Sequence, residues 1–473
     1  MNRVTEYIRN NKDRDYTIND LVVKHYEIWL ALPAVFFIMT PVIKFIVFSH
    51  EVNIHPLANE DIYFAIVLLL TVISLIPAAL GITGCFISKK PSVRNEIKNY
   101  PVNLMFLIVC IIAVISTALY SFKDDPEVYS QTMFIYISYF GIYYFCSQNI
   151  EKQKIKVFIV DEILVISLFA GIIELIDLFI YHIPAQNYSG VTSVFIHANH
   201  YGYFLTVPVL LSSSMFLFSE IKAKKVFYLS VFVFNSVMLA LSNTFGSFLG
   251  ISVALVFMII AVSIKKNHFS WRSVVLAITF LIVCFLVGLK FPSFFSDLVV
   301  LKNDIVNVVE DNEAQNTAGS GRWNLWRKTF ELIRERPLLG WGFNGIFEQL
   351  SAVELGIGKP HNEYLETAVF FGIPAALIYI AGLISIFIKA LKNRKTIDNV
   401  STACLIASLA YIGSAFFGNV KFYTAPFFFI VLGLASRYKT DKPENATDIN
   451  ADSSKSEEKE PVIDGTLTTD DVL

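Results

Sequence analysis

The chain is poor in charge and in cysteine. Only 16% of its 473 residues are charged and 55% are hydrophobic, whereas soluble globular proteins carry about 25% charged residues. A soluble fold with a polar surface is therefore not expected.

All five cysteines lie in apolar stretches without metal-ligand spacing, which argues against disulfides and a thiol metal site. No internal repeat is visible. No small-residue cleavage site follows the first apolar run, so we expect that run to be a retained anchor.

What the sequence has instead is a series of apolar runs long enough to cross a hydrocarbon core of roughly 30 Å. These runs lie near 28–48, 62–86, 102–121, 131–147, 157–181, 201–219, 226–241, 246–264, 273–290, 368–388, 401–416 and 421–436. They predict an all-α polytopic membrane protein with about twelve transmembrane helices.

Basic residues alternate from loop to loop. With the N-terminus inside, every inner segment holds at least three Lys or Arg, whereas the short outer loops hold only Lys123 and Lys421. An excess of Lys and Arg marks the cytoplasmic side of short loops. We therefore predict that both termini are cytoplasmic and that the long loop between helices 9 and 10 is extracytoplasmic.

This topology divides the chain into five segments. They are a cytoplasmic N-terminal segment (1–27), helices 1–9 (28–290), the extracytoplasmic loop (291–367), helices 10–12 (368–436) and an acidic cytoplasmic tail (437–473). The tail has few large apolar residues, and we expect it to be disordered.

The long loop contains a predicted helix, Arg322 to Arg336, which Pro337 ends. Its apolar residues form one stripe, and Arg327 and Lys328 fall elsewhere; the stripe is Trp323, Trp326, Phe330 and Ile333. One interpretation is an interfacial helix with basic residues on lipid phosphates. The other is that Arg322 binds a phosphate of a lipid-linked substrate through its planar, always-charged guanidinium.

Two features follow the predicted helix in the loop. Gly340, Gly342 and Gly345 indicate a flexible turn that would let the backbone approach a ligand. His361-Asn362 then opens the next apolar run. An imidazole titrates near neutrality and can take a proton from a sugar hydroxyl, although a histidine there is also compatible with simple helix capping.

Polar residues also mark the outer ends of two other spans. Asn199 lies between His197 and His200, which lack a nearby carboxylate, so we favour headgroup or sugar contacts over metal binding. Glu174 and Asp177 lie one turn apart in the fifth span, where carboxylates usually face a cavity or a partner. Lys44 or a loop arginine is the partner we expect for them.

Taken in order, these motifs resemble the O-antigen ligase and polymerase superfamily. The resemblance rests on Arg322 with its tryptophans, the run Pro337 to Gly342, and His361-Asn362 with nine residues before Gly372. It extends more loosely to Phe195–Asn199 and to Ser242–Gly246. It implies a GT-C-like membrane glycosyltransferase with a large extracytoplasmic loop.

The resemblance also implies a reaction. A glycan would move from an undecaprenyl-pyrophosphate carrier to an acceptor hydroxyl at the outer face of a bacterial cytoplasmic membrane, in surface polysaccharide biosynthesis. No cofactor, metal, nucleotide sugar or nucleic acid would take part. His361 would be the general base, Arg322 would hold the donor pyrophosphate, and Asn362 would orient His361 or a sugar. Ligases and polymerases share these motifs, so the resemblance does not separate them.

Two positions depart from the family pattern. Phe245 stands where many members have a second arginine, and Ala375 stands where a glycine is expected. The second positive charge would then come from Arg327, Lys328 or Lys421.

Two other functions are compatible with the sequence. Twelve spans with both termini inside also describe a transporter or lipid flippase, although transporters often have two similar halves and the halves here are unlike. The third alternative is a non-catalytic scaffold in polysaccharide assembly, which Phe245 would favour.

Overall fold

The structure is a computed structural model. It describes residues 22–23, 25–48, 60–87, 101–120, 126–150, 152–182, 190–195, 197–290, 322–343, 345–353, 358–419 and 424–436. Helices account for most of these residues. Within these ranges no β-strand is present. The tail 437–473, most of the segment 1–27, and positions 291–321 of the long loop lie outside the described residues.

The described helices follow one another along the chain in a fixed order. They are α1 (Tyr26–Ile38), α2 (Thr40–Phe48), α3 (Glu60–Ile87), α4 (Pro101–Tyr120), α5 (Pro126–Asn149), α6 (Gln153–Asp177), α7 (Ala198–Phe218), α8 (Lys222–Leu241), α9 (Phe245–Lys266), α10 (Trp271–Lys290), α11 (Arg322–Glu335), α12 (Phe347–Ser351), α13 (Glu363–Phe371), α14 (Ile373–Lys392), α15 (Asn399–Ser414) and α16 (Ala425–Ser436). A π-helical turn, Leu178–His182, extends α6, and a 3-10 turn, Ala415–Phe417, extends α15.

The structure is that of a polytopic membrane protein. Each of the twelve predicted runs contains helical residues, although the first and the tenth are each divided between two helices. Among the described residues, nine helices are long and apolar enough to cross a membrane, and the bent pair α1–α2 would be a tenth. The last run forms α16, whose 12 residues extend only about 18 Å. The run 131–147 lies within α5.

The bend between α1 and α2, 48°, has a local cause. Pro41 has no N–H to donate to the carbonyl of Phe37 one turn earlier. The Thr40 hydroxyl donates to that carbonyl instead, at 2.6 Å. The proline therefore breaks the helix, and the threonine satisfies the carbonyl that is left over.

The tenth predicted run, 368–388, is interrupted by Gly372. This residue has φ +90°, a conformation that favours glycine, and a Cβ there would collide with the backbone of Leu338. The Ile373 N–H donates to the Pro337 carbonyl at 2.8 Å. The structure therefore begins the membrane helix at Ile373 and makes the preceding turns a separate helix, α13.

The centre of the bundle is α7, which is buried along almost its whole length and packs against α8, α9 and α15. The close approach of α9 to α15 depends on Gly250, where a Cβ would meet the Ala410 carbonyl and the Ser414 side chain. Small residues at such crossings let the helix backbones approach closely. The resulting van der Waals packing drives helix association in lipid, where no hydrophobic force acts between helices.

One end of the bundle gathers the segments that the charge pattern predicts to be inside. Lys152 pairs with Glu27 at 3.5 Å and Lys224 with Asp161 at 2.9 Å. Lys156 pairs with Asp398, also at 2.9 Å. The loops that carry His361, Asn199 and Phe245 lie at helix ends opposite to these pairs.

Candidate functional site

His361 lies in a short loop, Gly358–Asn362, directly before α13. Its backbone has φ +52°, a left-handed conformation that is uncommon for residues with a side chain, although histidine adopts it more often than most. Such a conformation costs on the order of 1–3 kcal/mol and persists only where the surroundings fix it. The loop that carries the predicted base is therefore held in a specific shape by its neighbours.

Asn362 is the N-cap of α13. Its Oδ1 accepts from the backbone N–H groups of Tyr364 and Leu365, both at 3.0 Å, which satisfies two donors that a helix start leaves over. The side chain is buried. With Oδ1 occupied in this way, the predicted roles of Asn362 in orienting His361 or binding a sugar would fall to its amide nitrogen.

The described side-chain partner of His361 is Asn419, which sequence reasoning did not single out. Its amide Nδ2 lies 3.2 Å from Nδ1 of His361, and Asn419 is buried. It follows the 3-10 turn Ala415–Phe417 at the C-terminal end of α15. Nothing in the sequence around Gly418-Asn419 distinguishes this asparagine, because the contact joins residues 58 positions apart.

Arg322 begins α11 and is brought to the same end of the bundle. One turn later on the same helix, the Trp326 indole N–H donates to the carbonyl of Pro360, beside His361, at 2.9 Å. The half-buried Arg322 guanidinium lies close enough to Tyr203 to interact electrostatically with its hydroxyl. That hydroxyl donates to the Phe417 carbonyl, two residues before Asn419.

The apolar stripe predicted on α11 is not the face that the structure buries. The buried residues are Leu325, Thr329, Leu332 and Ile333. Of the predicted stripe only Ile333 is among them, and Phe330 is 49% exposed. The prediction was wrong because the packing partner determines which face of a helix is buried. Here the partner is a small core that includes α13 and Phe343.

The turn after α11 has a structural role, because its backbone N–H groups are bonded within the protein. Gly340 and Gly342 have φ +64° and +78°. The N–H groups of Trp341 and Gly342 donate to the carbonyls of Val369 and Phe370, both at 2.9 Å. The predicted approach of this backbone to a ligand is therefore replaced by bonds to the C-terminal turn of α13.

Asn199 lies in the first turn of α7, partly exposed. Its backbone N–H donates to Nδ1 of His197 at 3.1 Å, so that His197 caps the helix. The rings of His197 and His200 are 5.6 Å apart. Among the described residues no three His, Cys, Asp or Glu side chains form a metal-binding group.

The turn before α9 joins this end of the bundle. The Thr244 hydroxyl donates to the Ala198 carbonyl at 3.1 Å. Phe245, at the position of the missing arginine, packs edge-on against Phe417 with ring centroids 6.4 Å apart. The structure therefore brings the starts of α7 and α9 and the end of α15 together.

Glu174 and Asp177 are buried, at 1% and 6% exposure. Glu174 accepts from the backbone N–H of Ser193, and Lys44 donates to the carbonyl of Val194 at 2.5 Å. Glu174 and Lys44 therefore fix the 191–195 loop that leads into α7. Lys44, the partner that we expected for these carboxylates, is thus brought to the same loop that Glu174 binds.

The cations expected to replace the missing arginine lie in different surroundings. Arg327 is exposed, and Lys328 pairs with Glu331 at 3.2 Å on the surface of α11. Lys421 lies outside the described residues. Lys359, which the sequence analysis did not consider, is two residues from His361 and pairs with Glu366 at 2.9 Å.

Two buried carboxylates on α13 were also missed. The Tyr379 hydroxyl donates to Glu363 at 2.8 Å, and burial raises the pKa of Glu363 to about 7. Glu363 and Glu366 line a cavity of about 60 Å³ between α4, α5 and α13, enough for a few water molecules. Two acids three residues apart at the start of an apolar helix were the available signal.

Comparison with known proteins finds similarity over part of the chain. Residues 230–380 match the family model described as O-antigen ligase; this region includes Arg322 and His361. An uncharacterized protein of Haemophilus influenzae is 28% identical over 152 residues, which are 28% of this chain and 38% of that relative. The alignment therefore spans well under two thirds of the relative. Residues 230–380 of this multi-pass membrane protein are therefore similar to the O-antigen ligase family, which supports the resemblance carried by the motifs.

Proposed function

We propose that this protein is a glycosyltransferase of the ligase or polymerase type. It transfers a glycan from an undecaprenyl-pyrophosphate carrier to an acceptor hydroxyl at the outer face of a bacterial cytoplasmic membrane, in surface polysaccharide biosynthesis. The observation that carries the proposal is the meeting of the Arg322 helix with the His361 loop through the Trp326–Pro360 hydrogen bond, 2.9 Å. This contact supports a site in which the cation of Arg322 and the base His361 act together.

In the proposed reaction the acceptor oxygen attacks the anomeric carbon of the donor sugar. The bond from that carbon to the pyrophosphate oxygen breaks, and the acceptor proton passes to His361. Negative charge grows on the departing pyrophosphate, and Arg322 stabilises it through two parallel hydrogen bonds. No metal is required in this scheme.

The amide of Asn419 determines which ring nitrogen of neutral His361 carries the proton. With Nδ2 of Asn419 donating to Nδ1, the imidazole proton lies on Nε2, and Nε2 is not basic. Oδ1 of Asn419 has no hydrogen-bond partner among the described residues. Rotation of the amide by half a turn would let Oδ1 accept from Nδ1–H, which leaves Nε2 as the base. We assign this orienting role to Asn419.

Other polar side chains at this end would contact the substrates. Asn199 and the Asn362 amide nitrogen would contact sugar or headgroup oxygens. Arg327 and Lys328 would meet the pyrophosphate or lipid phosphates from the exposed side of α11. Glu174 and Asp177, predicted to bind substrate, would act through the 191–195 loop, because their burial separates them from a ligand at the surface.

The test uses the purified protein in detergent with undecaprenyl-pyrophosphate-linked repeat units, and the products are separated by size. A ladder of lengths that is absent with His361→Ala would identify a polymerase. A single transfer that needs an added acceptor would identify a ligase. Activity should survive a chelator; inhibition that added metal reverses would contradict the metal-free scheme.

Full transfer by His361→Ala would remove His361 as the base. If the wild-type protein transfers nothing under either condition, the glycosyltransferase proposal fails. A lipid-translocation assay would then test the flippase alternative.

A further inference from the structure

We propose that Lys359 and Glu366 form a positioning clasp for His361. Their ion pair closes the loop that carries the histidine onto α13, and thereby sets how much of the protein holds His361 in reacting geometry. The inference rests on His361 being the base of the function proposed above.

The pair spans His361 on both sides along the chain. Lys359 precedes the histidine by two residues, and Glu366 lies in the first turn of α13. Nζ of Lys359 is 2.9 Å from Oε1 of Glu366, and the side chains are 18% and 3% exposed. An ion pair this far from solvent is poorly screened, so it restrains the loop more strongly than a surface pair would.

Aromatic rings fix the lysine end of the clasp. Nζ of Lys359 lies 5.5 Å from the ring centroid of Phe343, 5.9 Å from that of Phe370 and 6.0 Å from that of Tyr136. These rings come from the turn after α11, from α13 and from α5. A cation near ring faces is attracted to each of them, so three separate elements hold the ammonium group.

The residues on either side of His361 are restrained as well. Pro360 accepts from Trp326, and Asn362 caps α13. The left-handed backbone of His361, φ +52°, needs such support because it is intrinsically unfavourable for a residue with a Cβ. Without the clasp, the segment before Pro360 would lose the bond that ties Lys359 to α13, and His361 would sample other backbone conformations.

A purely structural ion pair would also destabilise the protein when it is broken, because it leaves a buried charge without a partner. The two roles differ in their kinetic effect. A positioning role lowers kcat for each folded molecule and leaves donor binding nearly intact. A structural role lowers only the amount of folded protein.

The experiment compares Glu366→Gln, Glu366→Asp and the double variant Lys359→Met/Glu366→Gln with wild type, in the transfer assay described above. Folded protein is quantified before each assay. We expect Glu366→Gln to lower kcat by about 10- to 100-fold while KM for the lipid-linked donor stays within about twofold, because a reacting group misplaced by about 1 Å can cost about 100-fold in rate. Glu366→Asp keeps the charge and should recover part of kcat.

The double variant separates positioning from unpaired charge. It removes both charges, so it leaves none buried alone, and its kcat should still be low because the clasp is gone. The matched control is Lys224→Gln, which breaks the Lys224–Asp161 pair at the opposite end of the bundle, where the side chains are 40% and 29% exposed. Its kcat should equal that of wild type, since exposed pairs contribute little.

Several results would overturn the clasp. Wild-type kcat in Glu366→Gln, together with an inactive His361→Ala, would reject it while leaving the proposed function intact. Wild-type kcat in the double variant would show that only the unpaired charge mattered. Activity in His361→Ala would reject the proposed function, and the clasp with it.

Discussion

The contact between Asn419 and His361 gives the sharpest test of the proposed chemistry. When His361 takes the acceptor proton it becomes a cation, and its Nδ1–H would donate to Oδ1 of Asn419. A hydrogen bond to a charged group contributes about 1.5–3 kcal/mol. At roughly 1.4 kcal/mol for each factor of ten, Asn419→Ala should lower kcat by about 10- to 150-fold. Asn419 is buried, so water replaces the lost partner poorly, and we expect the upper part of this range.

The assay is steady-state transfer by purified protein, with KM for the donor measured alongside kcat. Asn419→Asp retains an acceptor oxygen towards Nδ1–H and should keep more activity than Asn419→Ala. Asn393→Ala is the matched control. Its amide donates to the Lys389 carbonyl at 2.8 Å at the other end of α14, far from the site, and its kcat should be unchanged.

A kcat for Asn419→Ala within twofold of wild type, in a protein that His361→Ala inactivates, would refute the reasoning. It would mean that the imidazole is oriented by a different group. Equal losses in Asn419→Asp and Asn419→Ala would also contradict it, because they would show that the acceptor oxygen is not what matters.

Three further predictions concern the same region. Arg322→Lys should lose at least tenfold in transfer, because a point charge cannot make the bidentate contact; wild-type activity would favour the interfacial-helix interpretation. Burial raises the pKa of Glu363 to about 7, so the folded state holds the proton of this carboxyl more tightly than the unfolded chain does. As the pH rises from about 4 to 7, the free energy of unfolding should therefore fall by about 3 kcal/mol. Glu363→Gln should remove this pH dependence, measured as the thermal midpoint at pH 5 and pH 8; equal pH dependence in the variant would contradict the assignment. Gly372→Ala should lower the thermal midpoint, because φ +90° and the Leu338 backbone exclude a Cβ, and an unchanged midpoint would contradict the strained turn.

The sequence by itself determined the helices and their clustering by charge. A long apolar run in a hydrocarbon core forms a helix, because a helix satisfies every backbone group within the segment. All twelve runs contain helical residues, although two of them are divided between two helices. The runs also located the loop with Arg322 and His361. Local signals are sufficient for such features because each depends on residues within one helix or loop. The bend at Pro41 and the break at Gly372 are equally local and were available signals.

Only the tertiary structure decided which residues meet. The Asn419–His361 contact, the Trp326–Pro360 bond and the position of Lys359 among three rings join segments that no local pattern relates. The buried face of α11 was mispredicted for the same reason: amphipathic spacing indicates that a helix has an apolar face, but the partner that packs against it selects which residues are covered. The chemistry of the site therefore depends on long-range packing, whereas its location along the chain does not.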